Sequence, residues 1–297
     1  MKKIIVLALA VLTFTIIGGC GSDGKKDDGN LKIVTSFFPM YLDALNITRG
    51  VQGVEVVNLT PPQVGCLHDY QLTPEDMKTL ETADVFVING LGMESFLDKV
   101  IEAYPNLKII NASDTPEITP IMDGDVPNPH VWLSVTYSIK QVKNIAEQLG
   151  KIDPKNADAY RMHSLEYVDE LTTLRDEMQL SIEILTHKDI VTFHEAFPYL
   201  AKEFRLNIAA VIEHEPGTEP TPQELAETIE KINSLPNKVI FTEPQYSPKA
   251  AETIARETGA KIFELDPIVT GEAKPERLLD YVDRMLKNTV TMVQALQ

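Results

Sequence analysis

Residues 154–185, PKNADAYRMHSLEYVDELTTLRDEMQLSIEIL, follow Asp153 and place Tyr160, Tyr167, Leu171, Leu174, Met178, Ile182 and Leu185 at steps of three and four, with Ser164 filling the gap. That spacing lays one apolar stripe along a helix. At 1.5 Å per residue a helix from Pro154 to Leu185 is about 48 Å long, more than a small domain is wide, so it can brace two lobes. The alternative is the seam of a coiled-coil dimer. Against it stand the polar positions in the stripe and the few complete heptads.

On both sides of this segment short apolar runs alternate with amphipathic ones. Residues 32–36, 55–60, 84–89 and 108–111 read as strands before it, and 189–193, 207–212, 238–242 and 260–265 after it. Thr73 followed by Pro74 and Asp76 combines an N-cap, a first-turn proline and a capping-box acid. Further helices are expected to begin near Thr221-Pro222, Ser247-Pro248 and Lys274-Pro275. Strands alternating with helices imply mostly parallel sheets. The expected architecture is therefore α/β: two βα lobes, 31–152 and 187–297, joined by one long helix within 153–186.

The chain begins with Lys2-Lys3, an apolar run from Ile4 to Ile17, and Gly18-Gly19-Cys20. The run is too short to span a bilayer comfortably and has the flanks of an export signal. Residues 1–20 thus read as a signal, and 21–30, with no apolar residue, as a flexible tether. An uncleaved anchor is the other reading, and both place the rest outside the cytoplasmic membrane. Cys66 is the only cysteine besides Cys20, so with Cys20 modified no intramolecular disulfide is available. The net charge of −17 argues against nucleic acid or an anionic lipid surface as partner.

Four residues stand at strand ends or in the loops that follow: His68, His130, His194 and Asp266. Ligands of open α/β sheets bind at the carboxyl ends of strands. Two residues from each lobe would meet in the interlobe cleft, and three imidazoles with one carboxylate suit a tetrahedral zinc ion. Cys66, two residues before His68, could offer a thiolate or be an inert thiol. His214, between Glu213 and Glu215, is a candidate for a weak second metal site or part of an acidic loop. His163 and His187 read as structural, and Asp69 and Glu195 as orienting or solvated neighbours of the ligands.

The signal ending in Cys20, His68-x-Tyr70 before Thr73-Pro74, Pro129-His130-Val131-Trp132, Phe193-His194-Glu195-Ala196-Phe197, and Thr242-Glu243-Pro244-Gln245 leading to Leu265-Asp266-Pro267 occur in order along the chain. Together they resemble the zinc and manganese solute-binding lipoproteins of ABC transporters. The resemblance implies lipid on Cys20, a metal site made by His68, His130, His194 and Asp266, and a rigid linking helix that limits lobe closure. It also implies a monomeric, non-enzymatic receptor, held outside the cell membrane by its lipid, that serves an ABC permease with a separate ATPase. No G-x-x-x-x-G-K-[ST] motif is present, so this chain is not the motor. Members specialised for manganese commonly carry a carboxylate at the third ligand position, where His194 stands, which inclines the choice to Zn2+ with Mn2+ as alternative. The His-rich loop found in many zinc receptors before the second ligand is absent from 114–128. A zinc hydrolase using Glu195 as base is the rival from another class.

Overall fold

The computed structural model describes residues 30–65, Leu67, 70–213 and 220–297. The expected sites Cys20, Cys66, His68 and His214, with Asp69 and the signal, lie outside these described residues.

The first half runs β1 (Leu31–Thr35), α1 (Phe38–Thr48), β2 (Val54–Asn58), α2 (Pro74–Glu81), β3 (Val85–Ile88), α3 (Leu97–Ala103) and β4 (Lys108–Asn111). A small antiparallel hairpin, β5 (Met122–Asp123) and β6 (Val126–Pro127), follows, then α4 (Val135–Ile152) and α5 (Ala157–Glu183). The second half contains β7 (Asp189–Thr192), α6 (Pro198–Glu203), β8 (Asn207–Val211), α7 (Pro222–Ser234), β9 (Val239–Thr242), α8 (Lys249–Thr258), β10 (Lys261–Glu264) and α9 (Asp280–Leu296). The two four-stranded sheets are wholly parallel, with orders β2-β1-β3-β4 and β10-β9-β7-β8. Counted within each half, both orders are second, first, third, fourth. The two halves thus repeat one topology, and each sheet reverses its winding direction between its first and third strands, where a ligand crevice opens.

Helix α5 is 27 residues long, about 40 Å. It starts later than the periodicity suggests because Pro154–Asn156 form a 3-10 turn, whose Asn156 side chain and the Tyr160 hydroxyl both donate to the Asp153 carboxylate at 2.7 Å. At the other end the Lys188 ammonium donates to the Ile182 carbonyl, a cation at a helix C-terminus. Tyr160, Ser164, Tyr167, Leu171, Leu174, Met178 and Ile182 are buried, as the stripe requires, and α5 packs on α1, α4 and α9 of its own chain. The stripe is spent inside one chain, so the coiled-coil alternative falls.

The expectation of a helix from Lys274-Pro275 is corrected. Residues there form turns, with Arg277 N–H donating to Lys274 O and Asp280 N–H to Arg277 O, and α9 begins only at Asp280. The preceding loop is pinned to the first lobe instead. Asn46 Nδ2 donates to Leu278 O at 2.8 Å, and Gly271 N–H donates to Pro62 O at 3.0 Å. Gly271 presses its backbone on Phe38, where a Cβ would come within 2.4 Å of the ring.

One continuous core joins the first sheet, α1, α4, α5, α9 and one face of the second sheet; a smaller one, around Val191, Phe193, Ile240 and Ile254, lies under α7 and α8. Polar links lock the lobes together. The Tyr199 hydroxyl donates to Asn128 O at 2.6 Å, Thr136 Oγ1 donates to the Glu203 carboxylate at 2.5 Å, and the Tyr281 hydroxyl donates to Trp132 O at 2.6 Å. A lobe rotation about α5 must break these bonds, whose net worth is about 0.5–1.5 kcal/mol each and more where a charge takes part.

The cap expected at α2 is present. Thr73 Oγ1 accepts from Asp76 N–H at 3.2 Å, while Asp76 Oδ2 accepts from Thr73 N–H at 2.7 Å and from the Tyr70 hydroxyl at 2.8 Å. Replacing Thr73 with alanine is expected to cost about 0.5–2 kcal/mol. It should appear as a lower urea midpoint at unchanged slope.

Candidate metal centre

In the second sheet β7 and β9 are neighbours, with Thr192 paired to Phe241. Two steps further along that register, just past both strands, stand His194 and Glu243. His194 Nδ1 lies 2.5 Å from Glu243 Oε1, and both side chains are buried. The other Glu243 oxygen accepts from Gln245 Nε2 at 2.8 Å. A carboxylate only accepts, so Nδ1 carries the proton and Nε2 is the basic nitrogen of His194. Carboxylate-to-histidine pairs of this kind fix the ring and raise its basicity toward a metal.

His130 is oriented by a different partner with the same result. Asn128 Nδ2 donates to the Glu195 carbonyl at 2.9 Å, which turns Oδ1 the other way, where it accepts from His130 N–H at 3.0 Å and meets His130 Nδ1 at 3.1 Å. Since Oδ1 accepts, Nδ1 is the donor, and Nε2 is again the basic nitrogen. The two imidazoles are brought together edge to face, with ring centroids 5.3 Å apart and planes at 73°. His130 is 2% and His194 1% exposed, so their ring nitrogens are screened from bulk water. Tyr246 abuts His194 at 5.4 Å and Trp132 abuts His130 at 5.2 Å.

The first sheet supports His130 from behind. At its own reversal point Glu94 is buried, accepting from Ser36 Oγ at 2.8 Å and from the N–H groups of Asn89 and Gly90 at 2.8 and 3.0 Å. Burial pushes its carboxyl up from the usual range, although those donors pull the other way. Asn89 Nδ2 then donates to Pro129 O at 2.9 Å, immediately before His130.

Asp266 follows β10 by two residues. Its Oδ1 accepts from Ile268 N–H at 2.7 Å, its Oδ2 from Arg284 Nη1 at 3.2 Å, and Asn288 clamps its backbone by donating to its carbonyl at 2.7 Å and accepting from its N–H at 2.9 Å. Trp132 Nε1 donates to Pro267 O at 2.9 Å, which places the Asp266 loop against the His130 loop. Among the described residues no three His, Cys, Asp or Glu side chains converge to hold a metal ion. His130 and His194 are brought together, Asp266 is turned to Arg284, and His68 lies outside the described residues.

Glu195 meets the site through its backbone carbonyl, and two further orienting side chains are Glu243 and Asn128. Glu243 stands in the quoted Thr242-Glu243-Pro244-Gln245 string, but only strand order reveals that it faces His194. His163 is half-buried, and its Nδ1 donates to Ile47 O at 3.1 Å near the end of α1.

Comparison with known proteins bears on the same residues. Residues 33–295 match the family described as ZnuA, zinc-uptake complex component A periplasmic. The chain belongs to this family. It is 31% identical to the high-affinity zinc uptake system protein ZnuA of Bacillus subtilis, over 97% of this chain and 96% of that protein. It is 26% identical to the manganese-binding lipoprotein MntA of Halalkalibacterium halodurans, over 100% of this chain and 99% of that protein. A structure of the SBP FpvC of P. aeruginosa with Ni2+ superposes with a TM-score of 0.80 at 34% identity, over 90% of this chain and 97% of that one. No helix among the described residues is long and apolar enough to cross a membrane.

Proposed function

We propose that this chain is the extracytoplasmic receptor that captures zinc and delivers it to an ABC importer. The observation that carries the reading is the pair of buried imidazoles packed edge to face, each with its Nδ1 proton directed to a fixed acceptor, which makes Nε2 the basic nitrogen of both. His68 and Asp266 complete the ligand set in this reading, giving three nitrogens and one oxygen, a closed shell suited to holding and handing over an ion. A catalytic zinc site keeps a position for water. With four protein ligands none is left, so no turnover of ester, peptide or phosphate substrates is expected.

Nitrogen-rich donors favour zinc over manganese. A relative 31% identical is named for zinc uptake, and manganese is the alternative because another relative is named for manganese binding. In the same reading Cys20 carries the lipid, 21–30 is the tether, 31–152 and 187–297 are the two lobes around the linking segment 153–186, and a monomeric receptor docks on a permease with a separate ATPase.

The deciding experiment is a calorimetric titration of metal-free protein with zinc and with manganese in one buffer. One tight zinc site that manganese neither occupies nor displaces supports the reading; equal or tighter manganese binding would reassign the cargo, and no binding to either would remove it. A pH series follows from the ligand chemistry. Imidazole must be neutral to bind metal, so affinity should be steady at pH 7–8 and fall steeply below about 6.5 as protons compete. Constant affinity from pH 5 to 8 would contradict the histidine ligands.

A further inference from the structure

Arg284 is held by contacts that do not involve Asp266. Its Nη1 donates to Thr270 O at 2.8 Å, Nη2 lies 3.5 Å from Asp280 Oδ2, and the guanidinium stands over the Phe38 ring at 5.3 Å. Its bond to Asp266 Oδ2, 3.2 Å, is longer than the one to Thr270 O. Asp266 is fixed at its backbone by Asn288, and Ile268, two residues on, adopts φ 64°, a left-handed conformation costly for a β-branched residue. The Ile268 N–H bond to Asp266 Oδ1 sustains that turn. The Asp266 backbone and the Arg284 guanidinium are thus each held by other partners, and Asp266 Oδ2 is joined to the protein's other groups by its longer bond to Arg284.

We propose that Arg284 is a resident counter-cation of the metal site, which holds the Asp266 carboxylate when no metal is bound and weakens its bond to a bound metal so that the ion can leave. The proposal rests on Asp266 being a ligand. Arg284 supplies this half-buried carboxylate, its side chain 16% exposed, with a countercharge. When metal arrives, Asp266 exchanges one cation for another rather than being stripped of water alone, which lowers the barrier in both directions. The guanidinium stays beside the carboxylate and competes with the dication for its charge, so the Asp266 bond to metal is made less tight than the carboxylate alone would make it.

The test compares zinc dissociation, measured by stopped-flow mixing with excess chelator, and zinc affinity by chelator competition. In Arg284→Gln, dissociation is expected to slow and affinity to tighten, each by about tenfold. Arg284→Lys, which keeps the charge, should stay near the original values. In an Asp266→Asn background the Arg284→Gln effect should largely vanish, because it acts through the carboxylate. Unchanged or faster dissociation in Arg284→Gln, together with weaker binding in Asp266→Asn, would overturn the counter-cation role while leaving the ligand assignment standing. Unchanged zinc affinity in Asp266→Asn alone would instead remove Asp266 from the ligand set. The absorption bands of bound Co2+ provide a second readout, since loss of one oxygen ligand alters them whether or not the fold is weakened.

Discussion

Replacing Glu243 with alanine is expected to lower zinc affinity by about 10- to 100-fold, the usual cost of losing a partner that orients a metal-binding histidine. Glu243 touches the site only through His194 Nδ1, at 2.5 Å, and through Gln245. Without the carboxylate the imidazole loses both the acceptor that fixes its tautomer and the negative charge that makes Nε2 a better donor. The ring then spends part of its time with the proton on Nε2, where it cannot ligate. Glu243→Gln separates the two effects, because an amide oxygen still accepts from Nδ1 but carries no charge. An intermediate affinity would assign the remainder to charge. The measurement is zinc competition against a chelator at pH 7.5, with circular dichroism confirming the fold. Equal affinities for Glu243→Ala and the unaltered protein would mean that the pair is structural only.

The second large effect is on stability. Asp43 sits in α1, 2% exposed, and burial pushes its carboxyl well above the usual range. Its charge in turn contributes to raising the hydroxyls of Tyr167 and Tyr281, for which burial is again the larger cause. In the unfolded chain Asp43 ionises near pH 3.9. Above that pH the folded state holds a proton that the unfolded state has lost, so stability falls as pH rises from about 4 toward the folded-state pKa. Asp43→Asn removes this term while keeping shape. The variant should match the unaltered protein near pH 4 and be more stable at pH 7.5, by on the order of 1–3 kcal/mol, the range that mutational data give for burying a polar group. For a chain of this size that is several degrees in melting temperature. Calorimetric scans of metal-free protein at both pH values check it. A stabilisation of the same size at pH 4 would show that ionisation is not its source.

Much of the architecture was legible along the chain because periodicity and caps are local properties. The α5 stripe, the α2 capping box and all eight strands of the parallel sheets were readable within windows of a few residues. The hairpin at 122–127 was not, since two-residue strands carry no period. Nor was the late start of α9. The local signal at Lys274-Pro275 is overruled by the bonds that fasten that loop to Asn46 and Pro62 across the lobes.

The candidate site divides along the same line. Histidines and an aspartate at strand ends mark themselves by residue type and position, and the order of motifs places the chain in its family. Which nitrogen each histidine presents is not local. It follows from Glu243, 49 positions from His194, and from the Glu195 carbonyl that turns Asn128 toward His130. The engagement of Asp266 by Arg284 likewise needs α9 folded back over the last strand. Sequence alone determined the strands of the two parallel sheets, the long helix and the family, and it named the candidate donors, because these depend on side-chain chemistry and on short-range period. Tertiary structure alone decided the tautomers, the burial and the countercharges. Those are set by which groups meet when distant strands are laid side by side, and the lateral order of strands in a sheet is not written in any one of them.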